Sequence, residues 1–405
     1  MDSIEIVKKA ETKLRKQFEE IDDIAYVNQK KVLDAFTEFR VSPACMAGTT
    51  GYGYDDLGRE TLAKVYAKVF GAEKAIVSPL IACGTHAITT VLYGLLRRGD
   101  AMLSISGIPY DSVQSSIFGK GNSSLEDYGV IYEQIDLKND SSFDIDKIIE
   151  RVKSEKPKVV YVQRSRGYSS RNAISPMQMK EVFDKVKELS PNSFIVVDNC
   201  YGEFVDKVEP TDVGADVMMG SLIKNPGGGL APTGGYIVGT EKAIDEIATR
   251  YTNPSLKCEL GSYEMGYRMF YQGFFLAPHT VAQALKGALL IGQVMEDKGY
   301  KIVPSNDFKP QDIVKSIVFN NENDLVKFVQ TVQTISPVDA YVTPMPWDMP
   351  GYEDKVIMAA GTFVGGASIE LSCDGPIRAP YIAYFQGGLT YEHVKILAEK
   401  LVSLY

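Results

Sequence analysis

Histidine is scarce in this chain. The three present, His86, His279 and His393, show no metal-ligand spacing, which argues against a zinc site, and no metal is expected. Cysteine is little better supplied. Cys45, Cys83, Cys200, Cys258 and Cys373 are scattered without a C-x-x-C pair, and their odd number reads as reduced thiols in a cytoplasmic protein. Positive charge does not dominate either. A net charge of −9 argues against nucleic acid or an anionic membrane as the main partner, while leaving room for a local phosphate site. No apolar run approaches the roughly 20 residues of a bilayer span. The first stretch, MDSIEIVKKAETKLRKQFEEIDDIAY, carries charges throughout and lacks the apolar core of a signal peptide. Internal repeats and low-complexity tracts are also missing.

What is there points to an ordinary globular chain. Its 405 residues, 45% apolar and 23% charged, are too many for one small core, so a large and a smaller domain are expected. Residues 3–22 place Ile4, Val7, Leu14, Phe18 and Ile21 at helical spacing between charges. That apolar stripe must lie on a partner subunit or on the chain's own body. From 72 to 240, short apolar runs read as strands: AIVSPL (75–80), AMLSIS (101–106), VIYEQI (130–135), KVVYVQ (158–163), SFIVVDN (193–199) and GGYIVG (234–239). Helical periodicity fills 84–97, 144–154 and 175–189. Such alternation predicts an α/β layer with a mostly parallel sheet, whose ligands gather beyond the carboxyl ends of the strands. Residues 261–298 read as a helical connector interrupted near Pro278. Beyond it, SIVFN, a helix over 322–334, MAAGTF, SIELS, YIAYF and a helix over 390–404 predict a smaller C-terminal α/β domain. The expected division is a helical arm (1–45), a large domain (46–260), the connecting helix (261–298) and the small domain (299–405).

Two segments carry the chemistry. SFIVVDNCYGEF ends a strand in Asp198, and 26 positions later Lys224 stands in VMMGSLIKNPGGG. Alone, Asp198 can be a helix cap or a magnesium ligand, and a lone lysine is usually solvated charge. Ile223 and the glycine-rich turn make an odd setting for a solvated face. Together the pair meets the needs of pyridoxal phosphate: an amine for its aldehyde and a carboxylate to keep its ring nitrogen protonated. A lysine desolvated beside that cationic ring loses basicity and can exchange its imine and move protons. A third segment, SPLIACGTHAITTVLYGLL, runs a strand into Gly84-Thr85 at the start of an apolar helix, an anion site suited to phosphate. Thr85 can equally serve only as the cap, and the Walker spacing is lacking. Ser221, placed one helical turn before Lys224, can add a phosphate contact. Tyr110 beyond the second strand suits stacking on a flat ring, or core packing. Tyr52 and Tyr54 lie in the Gly-rich loop GTTGYGYDD.

The order of Gly-Thr helix start, aromatic, V-V-D-N, S-x-x-K and G-G-x-I-x-G resembles the large domain of fold type I pyridoxal-phosphate enzymes. More narrowly it resembles the cysteine/methionine metabolism branch, with its cystathionine lyases and methionine γ-lyase, and above all the aluminium-resistance or cystathionine β-lyase-like group. The resemblance spans essentially the whole chain. It implies a three-layer α/β domain with a seven-stranded, mostly parallel sheet and a smaller C-terminal domain. It also implies Lys224 as the Schiff-base lysine and Asp198 on the pyridinium nitrogen. Gly84, Thr85 and Ser221 would hold the phosphate, and Tyr110 would stack on the ring and assist the leaving group. Tyr52 would reach a neighbouring subunit's phosphate, making the protein a homo-oligomer, dimer or tetramer, with shared sites.

Three departures stand out. Ile223 replaces the branch's Ser or Thr before the lysine. Gln163-Arg164-Ser165-Arg166-Gly167-Tyr168 replaces its E-S-P-x-N-P segment. The arginine for the substrate carboxylate is matched to Arg378 in DGPIRAPY, although alignment through Gly388-Leu389-Thr390 puts Tyr384 there instead.

The expected activity is a carbon-sulfur lyase acting on a sulfur amino acid, by β- or γ-elimination, giving thiol, oxo-acid and ammonia. The alternatives are aldolase-type cleavage of a β-hydroxy amino acid and a cofactor-binding regulatory or stress protein with little turnover. A serine hydrolase built on Ser221-x-x-Lys224 would also need S-D-N and K-T-G, and neither occurs.

Overall fold

The computed structural model describes residues 2–119, 121, 123–349 and 352–405. Two helices open the chain, α1 (Ser3–Lys13) and α2 (Arg15–Glu38), followed by α3 (Leu57–Val69). Then come β1 (Lys74–Ser78), α4 (Gly84–Leu95), β2 (Ala101–Ser104), α5 (Asp111–Ile117), β3 (Ile131–Gln134), α6 (Ile145–Glu155), β4 (Val159–Gln163), α7 (Pro176–Leu189) and β5 (Phe194–Asp198). The large sheet is completed by β6 (Val217–Ser221) and β7 (Gly235–Gly239), with α8 (Glu241–Tyr251) after it. The long α9 (Arg268–Asp297) leads to β8 (Lys301–Val303), β9 (Val314–Phe319), α10 (Glu322–Gln333), β10 (Val356–Ala359), β11 (Ser372–Pro376), β12 (Tyr381–Gln386) and α11 (Tyr391–Leu404).

The seven-stranded sheet has the order β1-β7-β6-β5-β4-β2-β3. Only β7 runs against its neighbours, and the other adjacent pairs are parallel. Central strands such as VVYVQ and FIVVD are buried at every position, the continuous apolar run expected where helices cover both faces. Six strands coincide with runs read from the sequence. The seventh, VMMGS, is the strand that delivers Ser221 and then Lys224. Because β1, β2, β4, β5 and β6 all point one way, Ser78, Ser104, Gln163, Asp198 and Ser221 share one edge of the sheet.

The C-terminal sheet, β10-β11-β12-β9-β8, is antiparallel throughout. Of the segment SIELS only Ser372 is in a strand, as the first residue of β11; residues 368–371 are a run of turns and bends leading into it. Glu370 there accepts from the backbone N–H groups of Phe363 and Val364, each at 2.9 Å, which spends the segment on loop closure instead of a ladder. The true strand, SCDGP, is fully buried yet has no apolar alternation to announce it.

The N-terminal stripe lies on the chain's own body. Val7, Ala10, Leu14, Ile21, Val32 and Ala35 join the main core, and α1 and α2 pack on α11 and α9. Glu11 fastens the arm by accepting from Tyr391 at 2.8 Å and Lys395 at 2.7 Å. Pro278 lies inside α9 and does not break it; packing on both sides holds the helix through the missing N–H. α9 is also the one helix among the described residues long and apolar enough to cross a bilayer, although no such run was expected. Of its most apolar window, 72% is buried within the molecule.

Candidate active site

A cavity of about 290 Å³ opens at the shared strand edge, walled on the far side by the C-terminal sheet and its approaches. Gly84, Thr85, Tyr110, Asp198, Ser221 and Lys224, six of the residues singled out in the sequence, all line it.

Asp198 ends β5 and is 5% exposed. Its Oδ1 accepts from the Cys200 N–H at 3.1 Å, leaving the other oxygen free for a donor in the cavity. Burial pushes its carboxyl up, while Lys224 and the Cys200 amide pull it back down.

Lys224 follows β6 through a tight turn, with its N–H on the Ser221 carbonyl at 3.4 Å, so it stands a turn, not a helical step, beyond Ser221. Its ammonium lies 4.1 Å from the centroid of the Tyr201 ring. This lysine was expected to lose basicity when desolvated beside a cationic ring. Burial does lower it, but Cys200, Tyr201 and Asp198 around it outweigh burial and hold it above the ordinary lysine value. Loss of basicity therefore needs a second positive charge in front of Asp198.

Opposite them, Cys83 caps α4 by accepting from the His86 N–H, and the first-turn amides of Gly84 and Thr85 are left without intrahelical partners. A side chain at Gly84 would put its Cβ 3.3 Å from both Cys200 Sγ and Ser221 Cβ, so glycine keeps a narrow cradle open. Thr85 Oγ1 lies 2.8 Å from Ser112 Oγ. A helix N-terminus, two hydroxyls and a bare glycine form a donor set suited to a phosphate. With a carboxylate and an amine at the other end of the cavity, these residues fit pyridoxal phosphate.

The segment that departs from the family pattern has a structural account. Gln163 sits beside Asp198 in the sheet register, and its Oε1 accepts from the Tyr110 N–H at 2.7 Å. Arg164 is fully buried and donates to Asn199 Oδ1 and the Gly202 carbonyl, both at 2.8 Å, with Glu209 at 3.5 Å. It props the turn that carries Cys200 and Tyr201. Gly202 is required there, since a Cβ would fall 2.6 Å from the guanidinium. Arg166 reaches the C-terminal sheet, donating to the Val303 carbonyl at 2.6 Å and facing Asp312 at 3.5 Å. Tyr168 donates to Asp374 Oδ2 at 2.5 Å.

Three expected residues, Arg378, its alternative Tyr384 and Tyr52, stay outside the cavity of a single chain. Arg378 does not face it: its side chain is 50% exposed and paired with Asp354 at 2.9 Å, because the chain turns outward between β11 and β12. Tyr384 lies behind the wall, its ring 5.0 Å from that of Tyr168. Tyr52 is exposed, stacked on Tyr54 at 5.4 Å. The structure adds Tyr201, Tyr168, Tyr352 and Asp374, which sequence reasoning did not single out. Tyr201 had a signal, standing directly after V-V-D-N-C; its φ of 72° is rare for a residue with a side chain and common at functional turns.

The fold and this site together define the fold type I architecture, with a cavity whose residues suit pyridoxal phosphate. An Escherichia coli protein, YhfS, described as pyridoxal-5'-phosphate dependent, shares the fold at a TM-score of 0.64 and 15% identity, over 95% of this chain and 97% of its own. The family is narrower: residues 3–404 match the model named methionine gamma-lyase, and the chain belongs to that family. YnbB of Bacillus subtilis is 48% identical over 379 residues, 93% of this chain and 90% of its own. A Clostridium novyi structure described as a carbon-sulfur lyase involved in aluminum resistance is 45% identical, with a TM-score of 0.95 over 100% of this chain and 96% of its own.

Proposed function

We propose that this protein is a pyridoxal-phosphate-dependent carbon-sulfur lyase that splits a sulfur amino acid into thiol, oxo-acid and ammonia. The observation that carries the proposal is the convergence of Asp198, Lys224 and the Gly84 cradle on one buried cavity. When bound, pyridoxal phosphate supplies an aldehyde and an electron-accepting ring. All else is asked of the chain's own residues.

Gly84, Thr85 and Ser221 would hold the phosphate. The free oxygen of Asp198 would accept the ring N–H, a charge-assisted bond strengthened by burial. Lys224 would supply the nitrogen that holds the cofactor and, as a free amine, would take the proton from the substrate's α-carbon. For this it must be neutral, which a cation beside Asp198 favours. Tyr110 stands on the same cavity with its OH 2.5 Å from that of Tyr352. Burial keeps its phenol protonated far above the usual range, so it can deliver a proton to sulfur as the C–S bond breaks. Tyr352 can then refill it.

The same reading makes the active unit a dimer or tetramer in which Tyr52 serves a neighbouring copy, and places the protein in the cytoplasm with its five free thiols.

The test is the visible absorbance of purified, cofactor-loaded protein before and after borohydride, followed by assays for thiol and oxo-acid with sulfur amino acids. A band fixed by reduction onto Lys224, with thiol release, supports the proposal. No band after loading, or a band without thiol from any sulfur amino acid, overturns it.

A further inference from the structure

The charge balance of the cavity is unusual for a site receiving amino acids. Among the described residues that line it, the charged side chains are Asp198, Lys224 and Asp374; arginine and histidine do not take part. Nearby guanidinium groups are spent elsewhere. Arg166 is tied to Asp312 and the Val303 carbonyl, and Arg171 donates to the carbonyls of Gln163, Arg164, Ser165 and Asn172. With Lys224 and Asp198 committed to the cofactor, the remaining charge is the carboxylate of Asp374.

That carboxylate is buried but incompletely matched. Tyr168 donates to Oδ2 at 2.5 Å, Gln386 Nε2 reaches Oδ1 at 3.5 Å, and Asp374's own backbone N–H adds a local contact. A carboxylate has about four lone-pair sites, and burying one with so few donors is costly unless a ligand completes it. Tyr168, which holds it, stands among other rings, 6.0 Å from Tyr110, 5.5 Å from Tyr352 and 5.0 Å from Tyr384 between centroids, and Tyr384 is the cross-strand neighbour of Asp374. A carboxylate set among tyrosine rings is the surrounding that a desolvated cation prefers.

We propose that Asp374 is a specificity-determining residue that selects substrates carrying a positive charge on the side chain beyond the sulfur. This rests on the lyase reading for the sulfur, but not for the charge. Ammonium and sulfonium groups share the required chemistry.

The test compares isosteric pairs on the cofactor-loaded protein. Binding is read from the change in the cofactor's visible band with L-lysine against L-2-aminoheptanoic acid. Turnover is read as thiol release from S-(2-aminoethyl)-L-cysteine against S-propyl-L-cysteine, with a sulfonium analogue of methionine as a further arm. The cationic member of each pair is expected to be preferred about tenfold or more, the size of one hydrogen bond to a charged group. Asp374→Asn should bring both ratios to about 1. Equal or better use of the neutral members by the unaltered protein overturns the proposal, whether or not the variant folds. A ratio unchanged in a folded Asp374→Asn also overturns it. Lysine preference without thiol from any substrate would sink the lyase reading and leave the subsite standing.

Discussion

Tyr168 and Asp374, 206 positions apart in sequence, are joined by a 2.5 Å hydrogen bond from phenol to carboxylate. The bond ties the loop after a central strand of the large sheet to the second strand of the C-terminal one. Burial raises the Asp374 carboxyl from 3.8 to about 6, against the pull of Tyr168. Its proton is therefore held more tightly in the folded than in the unfolded chain, so stability falls as pH rises from about 4 to 6. Above pH 6 the buried charge costs on the order of 3 kcal/mol. Asp374→Asn should leave Tm unchanged near pH 4 and raise it at pH 7 to 8. A Tm gain that is the same at both pH values would contradict this origin.

Glu203 offers the same logic at higher pH. Burial raises its carboxyl to about 8, opposed by Tyr236 and helped by Glu209, and Tyr236 donates to it at 2.7 Å. The folded protein thus keeps this proton at neutrality, and stability drops as pH climbs from about 4.5 through 8. Glu203→Gln should narrow the loss of Tm between pH 6 and pH 9. Thermal melts across that range check it.

Removing Arg164 would strand buried Glu209 without its cation. Loss of one partner of a buried pair costs about 3–5 kcal/mol, so Arg164→Ala should lower Tm sharply and weaken cofactor retention, because the Cys200–Tyr201 turn loses its prop. Unchanged melting would show that the pair is not holding the turn.

Lys224→Ala should abolish the borohydride-fixed band and lower turnover by on the order of 10³-fold or more, with melting of the cofactor-free protein little altered. Tyr110→Phe should lower thiol release by about 10²-fold while leaving the band intact. Spectra and product assays on the same preparations separate the two roles.

Arg378→Ala, by contrast, breaks an exposed pair worth about 1 kcal/mol or less. KM for any accepted amino acid should stay within about twofold of the unaltered protein. A tenfold rise would return the substrate carboxylate to Arg378.

The sequence carried the large sheet well because its central strands are buried on both faces and so spell unbroken apolar runs; Phe194 to Val197 is the clearest. It carried Asp198, Lys224 and Gly84 because each stands at a strand end or helix start, where position alone predicts proximity. Asp374 was not legible: its strand, Ser-Cys-Asp-Gly-Pro, is buried through context, with no alternation to mark it. Arg378 was legible as a candidate, but its place on the surface beside Asp354 was not. A lone arginine in a motif-like setting says nothing about which way the chain turns after it. The segment 163–168 was visible as an anomaly, but its meaning lay in partners such as Glu209, Asp312 and Asp374, reached only through tertiary contact.

The cavity draws its walls from Cys83, about a fifth of the way along the sequence, to Gln386 near its far end, with Tyr168 and Asp374 fastening the two. No stretch short of that span contains the site. During synthesis, the large sheet can form while its cavity still lacks a side, so the cofactor pocket is completed only when almost the whole chain has left the ribosome. Cofactor capture then becomes a late event, and a chain cut short before Gln386 would keep the strands that display Lys224 without the chamber that makes it useful.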